Sequence, residues 1–299
     1  MNELSIRPTP ITWHLPEPAS TTPMALNARE THFWFTDLDQ PVQDEMADFL
    51  LTLLDEQEQA RALRFRRPEL TQRFVMAHGR LRQVLGRYLG IAPAQVRFCY
   101  GDRGKPALEA PLASALQRSS DQPLAQIRPL QFNLSHSDRY ALIAVSHSPI
   151  GVDLEVVKSF PSASSLAQRF FSAKEFEVLQ LLHDTEAATE AATEADTEAD
   201  TEAAPEPETA GCSLARSVAF LRHWVCKEAY VKATGEGLVD QLPQVVVDFS
   251  AGARFEALPR SQGESQGEWQ LLELTPSWET VAALVLPEGV PCHCRYWQC

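Results

Sequence analysis

The chain has no run of about 18 apolar residues, the length a helix needs to cross a bilayer. Its first residues include an early acid, Glu3, and prolines at 8, 10, 16, 18 and 23, with no apolar signal-peptide core. Neither a membrane span nor secretion is expected, and the expected location is cytoplasmic. Cysteine is sparse and irregularly spaced: Cys99, Cys212, Cys226, Cys292, Cys294 and Cys299. That pattern reads as free thiols rather than a disulfide framework. Cys292-His293-Cys294 lacks the second pair that would complete a structural zinc site. Also missing are G-x-x-x-x-G-K-[ST], G-x-G-x-x-G after a strand, and HExxH. The common P-loop, dinucleotide and zincin schemes are thereby excluded.

Basic residues are outnumbered, 26 against 40, for a net charge of -14. Ten of those acids lie between Asp184 and Glu208, in a stretch with no base. Removing them leaves -4, so the remainder is only mildly acidic and local charge must decide what it binds. Residues 185–204 repeat Thr-Glu-Ala-Ala or Thr-Glu-Ala-Asp five times and carry no large apolar residue to bury. They read as a disordered or weakly helical insertion. Residues 1–28, rich in Pro and Thr, read as a loose tail.

Periodicity places a strand at 32–35 and helices at 44–54 and 70–89, the second opened by Pro68-Glu69 and closed by Gly90. A strand follows at 95–100, then a turn through Gly101-Asp102-Arg103-Gly104-Lys105-Pro106, and 110–129 reads as a loop. Strands are expected at 131–134, 140–145 and 150–154. Helices are expected at 164–171, 173–182 and 214–234, with a capping box from Ser172 to Glu175. The rest, 243–297, reads as an antiparallel meander. The order predicts an α+β fold of two similar halves, 29–149 and 150–299, with the acidic insert at 184–210. A single irregular α+β domain is the alternative.

Four clusters could carry chemistry. In Gly151-Val152-Asp153-Leu154-Glu155, strand alternation turns Val152 and Leu154 inward and sets Asp153 and Glu155 side by side on the other face. Paired carboxylates repel, and a shared cation relieves this; Mg²⁺ takes one or two carboxylates with phosphate oxygens. An ordinary solvated face fits the same letters. On the helix through Trp224-Val225-Cys226-Lys227-Glu228-Ala229-Tyr230-Val231-Lys232, residues 224, 228 and 232 form one stripe with Lys227 beside it. This could be a carboxylate with two phosphate-holding lysines, or a plain i,i+4 ion pair. Phe132-Asn133-Leu134-Ser135-His136-Ser137 leaves a strand and could cradle a phosphate, or be simple turn chemistry. No nucleophile elbow sits beside His136 to make a triad. Finally, residues 61–87 hold eight arginines against one acid, Glu69. Arginine suits phosphate, while sparse aromatic interleaving argues against nucleic acid.

Taken in order, these segments resemble the Sfp-type 4′-phosphopantetheinyl transferases. The resemblance runs through Arg61 to Arg73, Gly104-Lys105-Pro106, Phe132 to Ser137, Gly151 to Glu155, Phe170-Phe171-Ser172-Ala173-Lys174-Glu175 and Trp224 to Lys232, then Gly235, Gly237 and Leu238. It implies two pseudo-symmetric α/β halves with coenzyme A in the cleft between them. It implies Mg²⁺ among Asp153, Glu155 and Glu228, with Glu228 or, less directly, Glu175 as the base for the incoming serine. Arg61, Arg73, Lys105, Ser135, His136, Lys227 and Lys232 match positions that hold the coenzyme. The implied reaction moves phosphopantetheine to a serine of an apo acyl or peptidyl carrier protein, releasing adenosine 3′,5′-bisphosphate. The implied enzyme is a monomer that binds neither nucleic acid nor membrane. A Mg²⁺-dependent hydrolase of coenzyme A or a nucleotide pyrophosphate is the alternative. The tail and the acidic repeat depart from the family pattern, and the repeat could filter acidic carriers by like-charge repulsion.

Overall fold

The long helices start and stop at the chain's own punctuation. In the computed structural model, which describes residues 11–13, 23–40, 44–110, 129–182, 214–237, 239–259, 268–290 and 293–298, helix α3 (Pro68–Leu89) has Pro in its first turn. It ends at Gly90, whose φ of 65° is left-handed and cheap only for glycine. Before it come β1 (Glu30–Asp37), α1 (Asp44–Leu53) and α2 (Glu56–Ala62). After it come β2 (Phe98–Tyr100), β3 (Pro106–Leu108), β4 (Gln131–Ser137), β5 (Tyr140–Ser146) and β6 (Gly151–Val156). Then follow α4 (Ala163–Phe170), α5 (173–182), α6 (Leu214–Thr234), β7 (Val246–Asp248) and β8 (Arg254–Ala257). The chain finishes with β9 (Trp269–Leu274), β10 (Thr280–Pro287) and β11 (His293–Gln298).

Two sheets carry the core. One has the order β11-β1-β5-β4, the other β6-β10-β9; β2-β3 and β7-β8 are two-stranded. Helix α3 packs on the outer face of the first sheet, where Leu81, Val84, Leu85 and Tyr88 meet Trp34, Ile143 and Val145. Helix α6 packs on the second, where Cys226, Ala229 and Tyr230 meet Val281, Ala283 and Val285. Between the sheets, Phe33, Phe35, Leu142 and Ala144 face Val152, Leu154, Ala282 and Leu284. The layers therefore run helix, sheet, sheet, helix, a mixed α+β fold. Contact between β6 and α6 is close enough to demand glycine. A Cβ on Gly151 would lie 2.1 Å from the Ala229 carbonyl oxygen.

Three expectations need correction. The stretch 243–297 is not one meander. β7-β8 stands apart, and β11 leaves to pair in parallel with β1 of the first sheet, Trp34 beside Trp297. The tail is not loose where it is described. The Ile11 N–H donates to Thr275 O, Trp13 Nε1 donates to Pro276 O, and Trp13 stacks on Phe35 at 5.1 Å. Each end of the chain thus crosses to the other half, so residues 150–299 do not form a self-contained unit. Local reading also passed over α2, with its Asp55–Glu58 capping box, and β3. Residues 1–10 and 14–22 of the tail, most of the 110–129 loop, the acidic insert and Cys292 lie outside the described residues.

Candidate active site

Strand β4 has two working faces, because successive side chains alternate. Phe132 and Leu134 turn toward the α3 layer, and His136 lies on that side. Asn133, Ser135 and Ser137 turn toward β6. Asn133 Oδ1 accepts the Val152 N–H at 2.8 Å, Ser135 Oγ the Leu154 N–H at 3.2 Å, and Ser137 Oγ the Val156 N–H at 3.2 Å. Ser135 and Ser137 lie on a strand rather than in a turn. The two serines also donate outward, Ser135 Oγ to Asp153 Oδ1 at 2.8 Å and Ser137 Oγ to Glu155 Oε2 at 2.5 Å.

Alternation along β6 does what its letters require. Val152 and Leu154 are fully buried between the sheets, while Asp153 and Glu155 stand on the other face. Across from them, every residue of α6 from Leu221 to Ala233 is buried except Trp224, Glu228 and Lys232. Their spacing of four makes one accessible stripe. Lys232 Nζ donates to Asp153 Oδ1 at 2.5 Å and to Ser135 Oγ at 3.1 Å. Asp153 Oδ2 is buried and has no hydrogen-bond partner among the described residues.

Electrostatics ties these groups together. Burial, and then the charge of Asp153, push Glu228 above the usual carboxylate range. Burial also raises Glu155 and Asp153 adds to it, against the lowering bond from Ser137. Among the described residues, no three carboxylate, imidazole or thiolate groups converge tightly enough to hold a metal ion as they stand; Lys232 sits at Asp153 instead. Yet the donor set fits a hard divalent cation. It offers three carboxylates, two of them raised in part by the charge of Asp153, and one buried oxygen with no hydrogen-bond partner among the described residues.

Further basic side chains lie near these groups. Lys105 sits on the β2-β3 hairpin, where Gly104 takes a φ of 79°. Its Nζ donates to Ala233 O at 3.0 Å and Ile150 O at 3.3 Å, at the negative end of α6. Burial lowers it to about 8. Burial lowers His136, and nearby His78, Lys232 and Arg61 lower it further. Arg61 lies over the Phe74 ring at 5.2 Å, and His78 stacks on that ring at 4.1 Å. Sequence reasoning passed over His78, which is held by Glu58 Oε1 at 3.0 Å. Nothing local marks it, because its partner lies twenty residues earlier on another helix.

The structure gives three candidates other partners. Glu175 and Lys227 form a buried ion pair, 2.9 Å apart and 2% and 0% exposed. Glu175 caps α5 by accepting from Ser172 N and Oγ, each at 2.8 Å, and takes the Val247 N–H at 2.9 Å. Lys227 spends its other protons on Leu242 O and Val245 O. Neither can meet a serine or a phosphate without unfolding its surroundings. Arg73 is committed to Asp39 through two bonds of 2.7 and 2.6 Å. Of the other arginines, Arg82 is fully buried against Glu58, Asp55 and Val96 O, so it is structural rather than a phosphate contact.

Comparison with known proteins finds relatives along most of the chain. Residues 149–286 match the family model described as the 4′-phosphopantetheinyl transferase superfamily. Residues 40–148 match the one described as 4′-phosphopantetheinyl transferase, N-terminal. The chain is 34% identical over 288 residues to the 4′-phosphopantetheinyl transferase HetI of Nostoc sp., covering 96% of this chain and 98% of the relative. It is 25% identical over 201 residues to the 4′-phosphopantetheinyl transferase Sfp of Bacillus subtilis, covering 67% of this chain and 69% of that one. None of these similarities supports the hydrolase alternative.

Proposed function

The chain belongs to the 4′-phosphopantetheinyl transferase superfamily, and from that premise we propose how its own residues carry out the transfer. The reaction moves the phosphopantetheine arm of coenzyme A to a serine of an apo carrier protein and releases adenosine 3′,5′-bisphosphate. The observation that carries the proposal is the Asp153 carboxylate: its Oδ1 meets Ser135 of one sheet and Lys232 of α6, while its buried Oδ2 has no hydrogen-bond partner among the described residues.

Asp153, Glu155 and Glu228 would hold Mg²⁺. Bound there, the ion supplies charge neutralisation at the pyrophosphate oxygens. Lys232 and Lys105 flank the acids and hold phosphate oxygens as point charges. His136 and Arg61 line the opposite wall, where a further phosphate of the coenzyme would be met. Glu228 makes no hydrogen bond to another described residue, which leaves its carboxylate free to accept the serine proton. Positioning and fixed charge then suffice for phosphoryl transfer, with no covalent enzyme intermediate.

The proposal includes a monomer, since both sheets and both long helices that frame the cleft come from one chain. It also includes a cytoplasmic location and two pseudo-symmetric halves joined near residue 149. No helix among the described residues is long and apolar enough to cross a membrane. The test is chromatographic detection of adenosine 3′,5′-bisphosphate with and without an apo carrier protein. Release is expected only when carrier, coenzyme A and Mg²⁺ are all present. Release without carrier would mean hydrolysis and would overturn the proposal.

A further inference from the structure

The seam between β4 and β6 is unusual in its chemistry. The two strands belong to different sheets and share no backbone ladder. Three side chains on one face of β4 take the place of ladder carbonyls, accepting the N–H groups of Val152, Leu154 and Val156 in turn. The rungs differ in what else they do. Among the described residues, Asn133 makes no hydrogen bond to an acid of the site, whereas Ser135 also meets Asp153 and Lys232. Among the described residues, Ser137 alone hydrogen-bonds Glu155. Its oxygen accepts from Val156 and its proton goes to Glu155 Oε2, so one hydroxyl grips both the backbone and the carboxylate of adjacent β6 residues.

We propose that Ser137 is a positioning residue: from the first sheet, it fixes the Glu155 carboxylate for the divalent cation held by the second. Glu155 is only half-buried and has three rotatable torsions, so burial alone does not choose its rotamer. A hydroxyl whose acceptor side is occupied by a rigid backbone N–H can aim its proton in few directions. That constraint selects the carboxylate orientation before any ligand arrives. Outer-shell bonds of this kind orient metal ligands, and their loss typically weakens metal binding about 10–100-fold. Because the rung crosses from β4 to β6, relative movement of the two sheets is also felt at the ion. The inference rests on Glu155 being a cation ligand, the reading given above.

The experiment is a Mn²⁺ titration of the full chain followed by electron paramagnetic resonance, with coenzyme A present. Ser137→Ala, Ser137→Thr, Asn133→Ala and Glu155→Gln are compared with the unmodified protein, and each variant's urea midpoint is measured in parallel. Ser137→Ala is expected to weaken Mn²⁺ binding about tenfold, and Ser137→Thr to restore it. Asn133→Ala removes a rung without touching an acid, so it is expected to lower the urea midpoint and leave Mn²⁺ affinity within about twofold of the unmodified protein. If Glu155→Gln weakens Mn²⁺ binding but Ser137→Ala does not, the positioning role is refuted. Equal weakening by Asn133→Ala and Ser137→Ala also refutes it, because the seam would then act only as scaffolding. If Glu155→Gln leaves Mn²⁺ binding unchanged, it is the ligand reading beneath the inference that fails.

Discussion

Replacing Lys227 with Met removes a fully buried ammonium whose three partners are Glu175, Leu242 O and Val245 O. Glu175 would keep its bonds from Ser172 and Val247, but its charge would be left unpaired in a site only 2% exposed. Breaking one side of a buried pair costs about 3–5 kcal/mol, and two orphaned carbonyls push toward the upper end. For a chain of this size, about 4 kcal/mol lowers Tm by roughly 6 °C. Glu175→Gln keeps the acceptor for Val247 and leaves Lys227 with its two carbonyls, so roughly 3 kcal/mol is expected. The double variant Glu175→Gln/Lys227→Met should be less damaged than the sum, by about 2 kcal/mol, because no lone charge remains. Urea denaturation of the four proteins measures this cycle. At low temperature, where all four stay folded, KM for coenzyme A should differ by less than about threefold. A Lys227→Met protein of normal stability whose KM rises tenfold would refute the reasoning. It would return Lys227 to the phosphate-binding role that the letters beside Glu228 suggested.

Three further outcomes follow from the geometry. Gly151→Ala would drive a methyl group to 2.1 Å from Ala229 O and 2.3 Å from Ala233 N. Separating β6 from α6 should cost about 3 kcal/mol and abolish activity, read from urea midpoints and turnover; normal values for both would contradict the packing. Burial holds His32 and His223 at about 4, against an ordinary 6.5. The unfolded chain therefore binds protons first, and stability present above pH 6.5 is lost as pH falls toward 4, by roughly 1 kcal/mol per histidine between pH 7 and 5.5. Equal urea midpoints at those two pH values would count against neutral buried rings. Lys105, lowered to about 8, is charged below that pH and neutral above it. KM for coenzyme A should rise as pH passes 8 and stay flat in Lys105→Met, and a parallel rise in both proteins would remove Lys105 from the phosphates.

Local pattern carried much of this molecule. Helices α3 and α6 were legible because Pro68, Gly90 and Gly235 bound long periodic runs, and the burial of Val152 and Leu154 beside Asp153 followed from alternation alone. The Trp224–Glu228–Lys232 stripe followed from helical spacing. What local pattern could not convey was the third dimension of the same motifs. Lys227 sits beside Glu228 in sequence, yet about 100° away around the helix, which turns it into the core. Glu175 carries a capping signature, and that structural role consumes its carboxylate. The parallel pairing of β11 with β1 joins residues more than 260 apart, beyond any window. The polar face of β4 did leave a signal: Asn133, Ser135 and Ser137 alternate with apolar or cleft-facing residues. That spacing marks a face meeting something polar, and here it meets β6.

The most direct measurement is intact-mass analysis of an apo carrier protein incubated with this enzyme, coenzyme A and Mg²⁺, alongside Asp153→Asn and Glu228→Gln. The account predicts that the carrier gains the mass of one phosphopantetheine arm, and that both variants reduce the rate by at least about a hundredfold while remaining folded. A full mass gain with either variant would contradict the assignment of those carboxylates to the reacting centre.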